Sequence, residues 1–144
     1  MARIEITGLE GLERFLENLA KPKEMAVKAV NAASPIAEKS LKTEVRRAAC
    51  RKNKQGKPYA TGQLEASIGR TEARENQYGV FAVVTPKGKD KKGMRNAEKL
   101  AYLEYGVRSH GQLPYPVRQN AVNNAKTACE KAMEDTIYRE VDAL

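Results

Sequence analysis

Residues 23–50 read KEMAVKAVNAASPIAEKSLKTEVRRAAC, a stretch that is rich in Ala, Lys and Glu. Its large apolar side chains recur at helical spacing among Ala, Lys and Glu, which gives one apolar face over about seven turns. The face comprises Val27, Val30, Ile36, Leu41 and Val45. Pro35 follows Ser34, a pairing of N-cap and first-turn residue that begins many helices. The stretch therefore predicts one long helix or two in series, with a kink or a restart at Pro35.

A second long helix is predicted at the other end of the chain, from Val117 to Val141. Its apolar positions form a narrow face lined mainly by alanine, and small residues let another helix approach closely. The face comprises Val117, Ala121, Ala125, Ala128, Ala132, Ile137 and Val141.

The N-terminal segment predicts a short strand followed by a helix. Residues 3–7 alternate charged and apolar side chains, as in a strand with one solvated face. Residues 9–20 then form an amphipathic helix, which Lys21 and Pro22 close because the residue before proline avoids helical geometry. Its apolar face is Leu9, Leu12, Phe15, Leu16 and Leu19, and its polar face is Glu10, Glu13, Arg14 and Glu17.

The middle of the chain predicts a small β-sheet. Residues 64–69 alternate apolar and polar, and Tyr78–Val84 is almost continuously apolar, so two antiparallel strands are the simplest interpretation. The second strand is expected to be covered on both faces, by helices and by a partner subunit. Asn96–Tyr105 fits either a short helix or a strand, and Gly106–Pro116 must turn.

With 144 residues, the chain has room for one domain, residues 1–144. The elements together predict an α+β fold: a small antiparallel β-sheet packed against two or three helices, including a long kinked helix and a long C-terminal helix.

The chain is basic, with 26 Lys and Arg against 18 Asp and Glu and a net charge of +8. Much of the excess lies in residues 46–57 and in the loop 87–92, which is expected to be a solvated excursion rather than packed structure. The candidates for electrostatic contact are Arg51, Lys52, Lys54, Lys89, Lys91 and Lys92. No aromatic residue is interleaved to stack bases, so sequence-specific reading of nucleic acid is not expected. Three roles for these cations remain open: they lie on solvated loops without a partner, they contact DNA, or they contact an acidic protein surface.

The sequence predicts no catalytic, cofactor or metal site. Its only histidine, His110, is adjacent to Ser109, and sequence neighbours do not reach the geometry that activates a nucleophile. Cys50 and Cys129 are far apart and are expected to be free thiols. No apolar run approaches a bilayer span and residues 1–8 lack the apolar core of a secretory signal, so we expect a protein of the cytoplasm.

Three features taken together resemble a known family. They are the opening GLEGL of residues 8–12, the segment KPYATGQLEASI of residues 57–68, and YLEYG of residues 102–106 followed by PYP of residues 114–116. In this order they resemble the minor tail-component family of long-tailed bacteriophages, also described as head–tail joining or tail-completion proteins. Val107, Asn120 and the longer loop 87–95 depart from that family's pattern.

The resemblance implies a structural virion protein of a phage or prophage, not an enzyme. Such a protein acts in the neck or tail end after assembly in the host bacterial cytoplasm. It is expected to form a homo-oligomeric ring around the DNA channel, with the connector or head-completion proteins on one side and the tail tube or tail terminator on the other. The implied interface residues are Thr61, Gly62, Leu64, Tyr102, Glu104, Tyr105, Gly106, Pro114 and Tyr115.

Particular roles follow for some of these residues. Gly62 and Gly106 can take positive φ at turns, and Leu64 and Ile68 can enter the core. Tyr105 can bury its ring and keep its hydroxyl in water. Glu104 is either an exposed carboxylate or a partner for Arg108 or for a basic loop across a subunit boundary. The rival hypothesis is a small basic protein that binds DNA without sequence specificity.

Overall fold

From residue 21 on, the described residues form two long helices, two short ones and a narrow β-ribbon, which confirms the α+β prediction. The computed structural model describes Glu17, Leu19, residues 21–51 and residues 62–144, with the backbone alone at His110. The helices are α1 (Pro22–Ala49), α2 (Gln63–Ser67), α3 (Asn96–Tyr105) and α4 (Val117–Asp142), with a 3-10 turn at Arg108–His110. The strands are β1 (Ile68–Arg70), β2 (Arg74–Asn76), β3 (Gly79–Phe81) and β4 (Val84–Pro86). The predicted strand at residues 3–7 lies outside the described residues, and of the predicted helix at 9–20 only Glu17 and Leu19 are described, both helical and exposed.

Helix α1 passes through Pro35 without interruption, so the predicted restart is wrong. Proline has no N–H, and within a helix it leaves the carbonyl four residues earlier, here that of Asn31, without its usual donor. The Ser34 hydroxyl donates to that Asn31 carbonyl at 3.3 Å. Ser34 therefore satisfies a carbonyl inside the helix instead of capping a new one.

Helices α1 and α4 pack against each other in antiparallel orientation. Lys28 Nζ lies 2.5 Å from Glu140 Oε2 at one end of the pair, and the Ser40 hydroxyl donates to the Ala121 carbonyl at 2.8 Å towards the other end. The buried contact uses small side chains: Ala29, Ala33, Ala121 and Ala125. The predicted alanine face of α4 is confirmed there, which explains how two such weakly apolar helices come close enough to exclude water.

The second half of the predicted α4 face is partly wrong. Ala128 is exposed and Ile137 is 41% exposed, whereas Cys129 and Met133 are half-buried. The face that contacts α1 thus follows a spacing of four residues from Ala121 to Met133. A prediction based on the alanine positions places the second half of this face wrongly.

The two predicted strands are four short ones, which form a single irregular ribbon. β1 pairs with β4 and β2 with β3, both antiparallel. The Thr71 N–H donates to the Val83 carbonyl at 2.9 Å, and Arg74 pairs with Phe81, so residues 72 and 73 together face Ala82 alone. This two-against-one arrangement is a β-bulge. It explains why Tyr78–Val84 is not one continuous strand.

The prediction of a strand over residues 63–67 is wrong, since α2 occupies the segment before β1 begins at Ile68. In Tyr78–Val84, Val80, Phe81, Ala82 and Val84 are half-buried and Tyr78 is 88% exposed. Coverage of this segment by a partner subunit stays a prediction. The segment 96–105, which fits both structures in sequence, is helix α3.

The ribbon is attached to α1 through the bulge. Asn31 Oδ1 accepts from the Ala73 N–H at 2.9 Å, a donor that the bulge leaves without a partner in the ladder. Arg70 on β1 reaches Glu38 Oε2 at 2.6 Å, and Lys42 reaches Glu38 Oε1 at 2.8 Å. The Lys42 and Arg70 hydrogen bonds hold the pKa of the Glu38 carboxyl below its usual range. The bulge thus replaces a ladder bond with a bond to the main helix.

Candidate functional site

The core gathers segments that are far apart in the sequence, among them residues 62–68 and 100–103. Its buried members come from α1, α2, β1, α3 and α4: Leu41, Val45, Ala48, Leu64, Ile68, Leu100, Leu103, Val117 and Ala121, with Val84 and Tyr115 packed against them. Leu64 and Ile68 enter the core as predicted. Leu64 is therefore a packing residue, and the interface role expected for it is wrong within this chain.

Gly106 ends α3 in a conformation that glycine alone adopts readily. Its φ is +74° and its ψ is 172°, and a Cβ placed there would lie 2.5 Å from the Gln112 carbonyl oxygen and 2.9 Å from the Pro114 nitrogen. The chain returns immediately, because Val107 and Gln112 exchange two backbone hydrogen bonds of 3.0 Å. The Tyr115 N–H then donates to the Leu103 carbonyl at 2.9 Å. The predicted turn is confirmed, and Gly106 is what lets its two arms touch.

Gly62 has positive φ as predicted, at +82°, and it precedes α2 with open space around it. Thr61, the other residue expected at this end of the motif, lies outside the described residues.

Glu104 binds within its own chain. Its Oε2 accepts from the Arg118 backbone N–H at 3.0 Å and lies 3.4 Å from Arg118 Nε. Arg118 is the second residue of α4, so the carboxylate satisfies one of the free N–H groups at the start of that helix and carries the charge that the helix dipole favours there. Within the described part of this chain its partner is Arg118 and not Arg108. A partner on a basic loop across a subunit boundary stays a prediction.

The same arginine explains the position of Tyr105. The guanidinium lies 5.9 Å from the centre of the Tyr105 ring, and Arg118 Nη2 is 3.3 Å from the hydroxyl. The ring itself is 71% exposed, so the expectation that it would be buried is wrong. Leu113 is 74% exposed, and Tyr102 and Pro114 are also exposed. The turn after α3 therefore presents apolar and aromatic side chains to its surroundings.

Glu44 is a buried carboxylate, and its burial is not predicted from the sequence. It is 1% exposed. Among the described residues, the largest fully buried side chains are Glu44, Val45 and Val117. Its carboxylate accepts from Arg47 Nη1 at 2.6 Å, Asn124 Nδ2 at 3.0 Å and the Tyr115 hydroxyl at 3.3 Å. These bonds join α1, α4 and the turn. A buried carboxylate with three hydrogen-bond donors has a structural role. Because Glu44 stands in a run of charged residues, the sequence does not indicate that it is buried.

An open apolar groove of about 460 Å³ lies between α1, β4 and α4. Ala37 and Leu41 form one wall, Val84 a second, and α4 the third with Ala121, Val122, Ala125, Cys129 and Met133. Arg118, Lys126 and Glu130 stand on its rim. The groove begins at Arg118, next to Tyr105, so it continues the exposed apolar surface of the turn.

The loop 87–95 is exposed to solvent as predicted, apart from half-buried Asp90, and hydrogen bonds to Asp90 hold it to α3. Asp90 accepts from the N–H groups of Lys92 and Met94 and forms an ion pair of 2.7 Å with Lys99 of α3. The Lys99 hydrogen bond is the main cause that lowers the pKa of Asp90. Asp90 therefore acts as the centre of the loop, and Lys89, Lys91 and Lys92 point outward and are exposed.

The basic cluster of Arg51, Lys52 and Lys54 differs from the prediction at Arg51. Arg51 is half-buried, stacks on the Tyr115 ring at 4.9 Å and donates to the Leu113 carbonyl at 3.2 Å. It holds the turn in place and is not free for electrostatic contact. Lys52 and Lys54 lie outside the described residues.

Both cysteines are free thiols, Cys50 exposed at the end of α1 and Cys129 half-buried in the groove. In the described ranges, no three His, Cys, Asp or Glu side chains are grouped so that they could hold a metal ion. Across those same ranges, no helix has the length and apolar character needed to span a membrane. The side chain of His110 lies outside the described part of the chain.

Comparison with models of known protein families, with curated proteins and with solved structures finds no match to this chain. The chain is therefore described by its architecture: it has an α+β fold built on two long antiparallel helices, with a turn and a groove at its surface.

Proposed function

We propose that this chain is a structural subunit of a phage or prophage particle that acts in head–tail joining or tail completion as a member of a ring around the DNA channel. The observation that carries the proposal is the meeting of the described parts of the second and third resembling features; the first, residues 8–12, lies outside the described residues. Residues 62–68, 102–106 and 114–116 pack on one core around Leu64, Leu103 and Tyr115. Segments that a family keeps in order are expected to be in contact when they build one structural unit.

The surface next to that core supports an assembly role. Tyr105 and Leu113 are largely exposed at the turn, and the apolar groove continues from them along α4. Exposed apolar side chains next to a groove are found at many sites where proteins associate. Its polar groups, Glu104 and Arg118, are already paired with each other, so the surface is arranged for contact and not for acid–base chemistry.

Removal of the gene from the element that encodes it tests the proposal. We expect filled heads and complete tails that fail to join, seen by electron microscopy, with infectivity restored by the wild-type chain supplied in trans. Tyr105→Ser with Leu113→Ser should restore joining poorly, whereas Tyr78→Ser, at an equally exposed site on the ribbon, should restore it fully. Joined, infectious particles in the absence of the gene would overturn the proposal.

The rival function, DNA binding without sequence specificity, is favoured by the three exposed lysines on the Asp90 loop. Neutralising three phosphates gives an affinity that falls about 40-fold between 50 and 200 mM salt. Replacement of Lys89, Lys91 and Lys92 by Gln should abolish that binding in fluorescence anisotropy, and Lys131→Gln on α4 is the control. Absence of duplex binding at low salt would exclude this role.

A further inference from the structure

We propose that the outer edge of β4 and β3 pairs with an extended segment of a partner protein, which enters the apolar groove as a third strand. The inference does not depend on the virion role. It rests on three observations: the outward-facing backbone of this edge, the difference in charge between the two edges of the ribbon, and the position of the groove.

The backbone of β4 is directed away from the ribbon at Val84. In an antiparallel pair only alternate residues form hydrogen bonds with the opposite strand. The Thr71 N–H donates to the Val83 carbonyl at 2.9 Å, and the next pair of the ladder is Arg70 with Val84. Val84 therefore directs its N–H and its carbonyl away from β1, towards the outer edge.

The same alternation applies to β3. A two-residue turn joins β2 to β3, and the pair that flanks it is a bonded one, so the next pair, Glu75 with Val80, is not. Val80 thus also directs its N–H and carbonyl outward. Ala82 lies between Val80 and Val84, and among the described residues its N–H and carbonyl form no backbone hydrogen bond. The edge therefore offers donors and acceptors at alternate residues, as a further strand requires.

The two edges of the ribbon differ in charge. Residues 76–86 are the longest stretch of the sequence without a charged side chain, and they include all of β3 and β4. The other edge carries Arg70, Glu72, Arg74 and Glu75. Charged side chains on an edge strand hinder its pairing with another chain. The β1–β2 edge is protected in this way, whereas the β3–β4 edge is not, although its Val, Phe and Thr side chains favour strand pairing.

The groove lies along the unprotected edge. Val84 forms one of its walls, next to Ala37 and Leu41 of α1. On the opposite edge Arg70 reaches Glu38, which is about 100° further round α1 than Ala37. The edge of β4, and not that of β1, therefore borders the groove.

An extended chain fits this space. A third strand would lie about 4.8 Å from β4. The wall on α4 from Ala121 to Met133 is about 18 Å long, which matches about five residues of a strand. Alternate side chains of that strand would point to the apolar surface of α1 and the others to solvent, so a segment that alternates apolar and polar residues fits. In strand addition, main-chain hydrogen bonds supply affinity and alternate side chains supply specificity.

The shape of the groove favours a partner protein over a second copy. Every described strand of this chain is already paired within its own ribbon. A second copy would thus bring two strands to a groove that α4 closes on its far side, whereas a partner with an unpaired extended segment brings one. The rim does not select by charge, because Arg118 is paired with Glu104, and Lys126 has Glu130 one helical turn away. Recognition is therefore by the backbone.

Backbone-methylated peptides test the proposal on the full chain. The probe is a fluorescein-labelled peptide of six residues in which threonine and valine alternate, and its binding is followed by fluorescence anisotropy. Two isomers carry three N-methyl groups each, one on the valine nitrogens and the other on the threonine nitrogens. Because the valine side chains enter the groove, only one set of nitrogens faces β4. We expect one isomer to bind as the parent peptide does and the other at least about tenfold more weakly.

Two results with these peptides would overturn the proposal. Equal binding of the two isomers would show that the contact is apolar and does not involve the backbone of the edge. Absence of binding by the parent peptide would show that the edge does not accept a strand.

Two proline variants test where the peptide binds. Val84→Pro removes the N–H of the edge that borders the groove, and Arg70→Pro removes the N–H of the paired residue on the protected edge. Proline is tolerated in a strand where the N–H faces away from the ladder, and far-UV circular dichroism checks both folds. Val84→Pro should abolish binding of the parent peptide and Arg70→Pro should leave it unchanged. The same effect in both variants would contradict the proposal, and if Val84→Pro does not fold, the two peptide isomers still give the answer.

Light scattering tests the choice of a partner protein over a second copy. The mass of the wild-type chain should be the same with and without the parent peptide. An oligomer that the peptide converts to a monomer would show that a second copy holds the edge, and it would overturn the assignment to a partner protein.

Discussion

Replacement of Gly106 by alanine should be among the most damaging single-methyl additions in the described part of the chain. With φ of +74° and ψ of 172°, Gly106 occupies a backbone region that is essentially restricted to glycine, and forcing another residue into it costs on the order of 1–3 kcal/mol. The new Cβ would also lie 2.5 Å from the Gln112 oxygen and 2.9 Å from the Pro114 nitrogen. Both are backbone atoms, so the two arms of the turn must separate, which adds about 1–3 kcal/mol of overpacking.

The expected loss in the free energy of unfolding is therefore about 4 kcal/mol, equivalent to a fall of roughly 10 °C in Tm for a chain of this size. Urea denaturation followed by circular dichroism measures it. Gly62→Ala is the matched control, because Gly62 also has positive φ but no described residue lies within 4 Å of the added methyl group. It should lose only about 1 kcal/mol. Equal losses in the two variants would refute the argument that close backbone approach determines the need for glycine at position 106.

Three further variants probe the helix, the ion pairs and the buried carboxylate. Pro35→Ala should raise stability by about 1–3 kcal/mol in urea denaturation, because it restores the N–H donor that the Asn31 carbonyl lacks; a loss would mean that the proline is needed there. The folded-state pKa of Glu38 is lowered by its hydrogen bonds with Lys42 and Arg70, so these pairs stabilise the fold above the unfolded pKa of about 4.3, and their contribution is lost as pH falls through the folded value. Glu38→Gln should flatten the decline of Tm below that pH, and an unchanged acid slope would contradict this. Tyr115→Phe removes one donor from the buried carboxylate and should cost about 1 kcal/mol without changing the far-UV spectrum.

The two long helices could be predicted from sequence because their patterns extend over many turns. Spacing of apolar residues identifies α1 and α4 and most of the buried half of α4, since a long periodic signal survives a few exceptions. The ribbon could not be predicted in the same way. Its course depends on the bulge at residues 72–73, which is stabilised by a hydrogen bond to Asn31 on another element. Local alternation carries no information on such a partner.

The surface and the buried polar groups were predicted least well. Glu104, Arg51 and Asp90 each belong to a charged stretch, and each is bound within the chain to a group that folding brings near. Glu44 is buried because Asn124, 80 residues away, and the Tyr115 hydroxyl meet it there. A carboxylate's role depends on which donors surround it, and those donors come from segments whose positions a single sequence does not reveal.

The antiparallel pairing of α1 with α4 has a consequence for how the chain reaches its fold. Lys28 and Glu140, which pair in space, are 112 positions apart in sequence, and α4 follows every other described element. During synthesis the apolar stripe of α1 therefore stays without its partner until α4 has left the ribosome. Contacts of such long range slow folding, because the entropy of loop closure is lost before the contact repays it. This protein should fold late and slowly, and nascent chains that stop before α4 should be prone to aggregation and depend on chaperones.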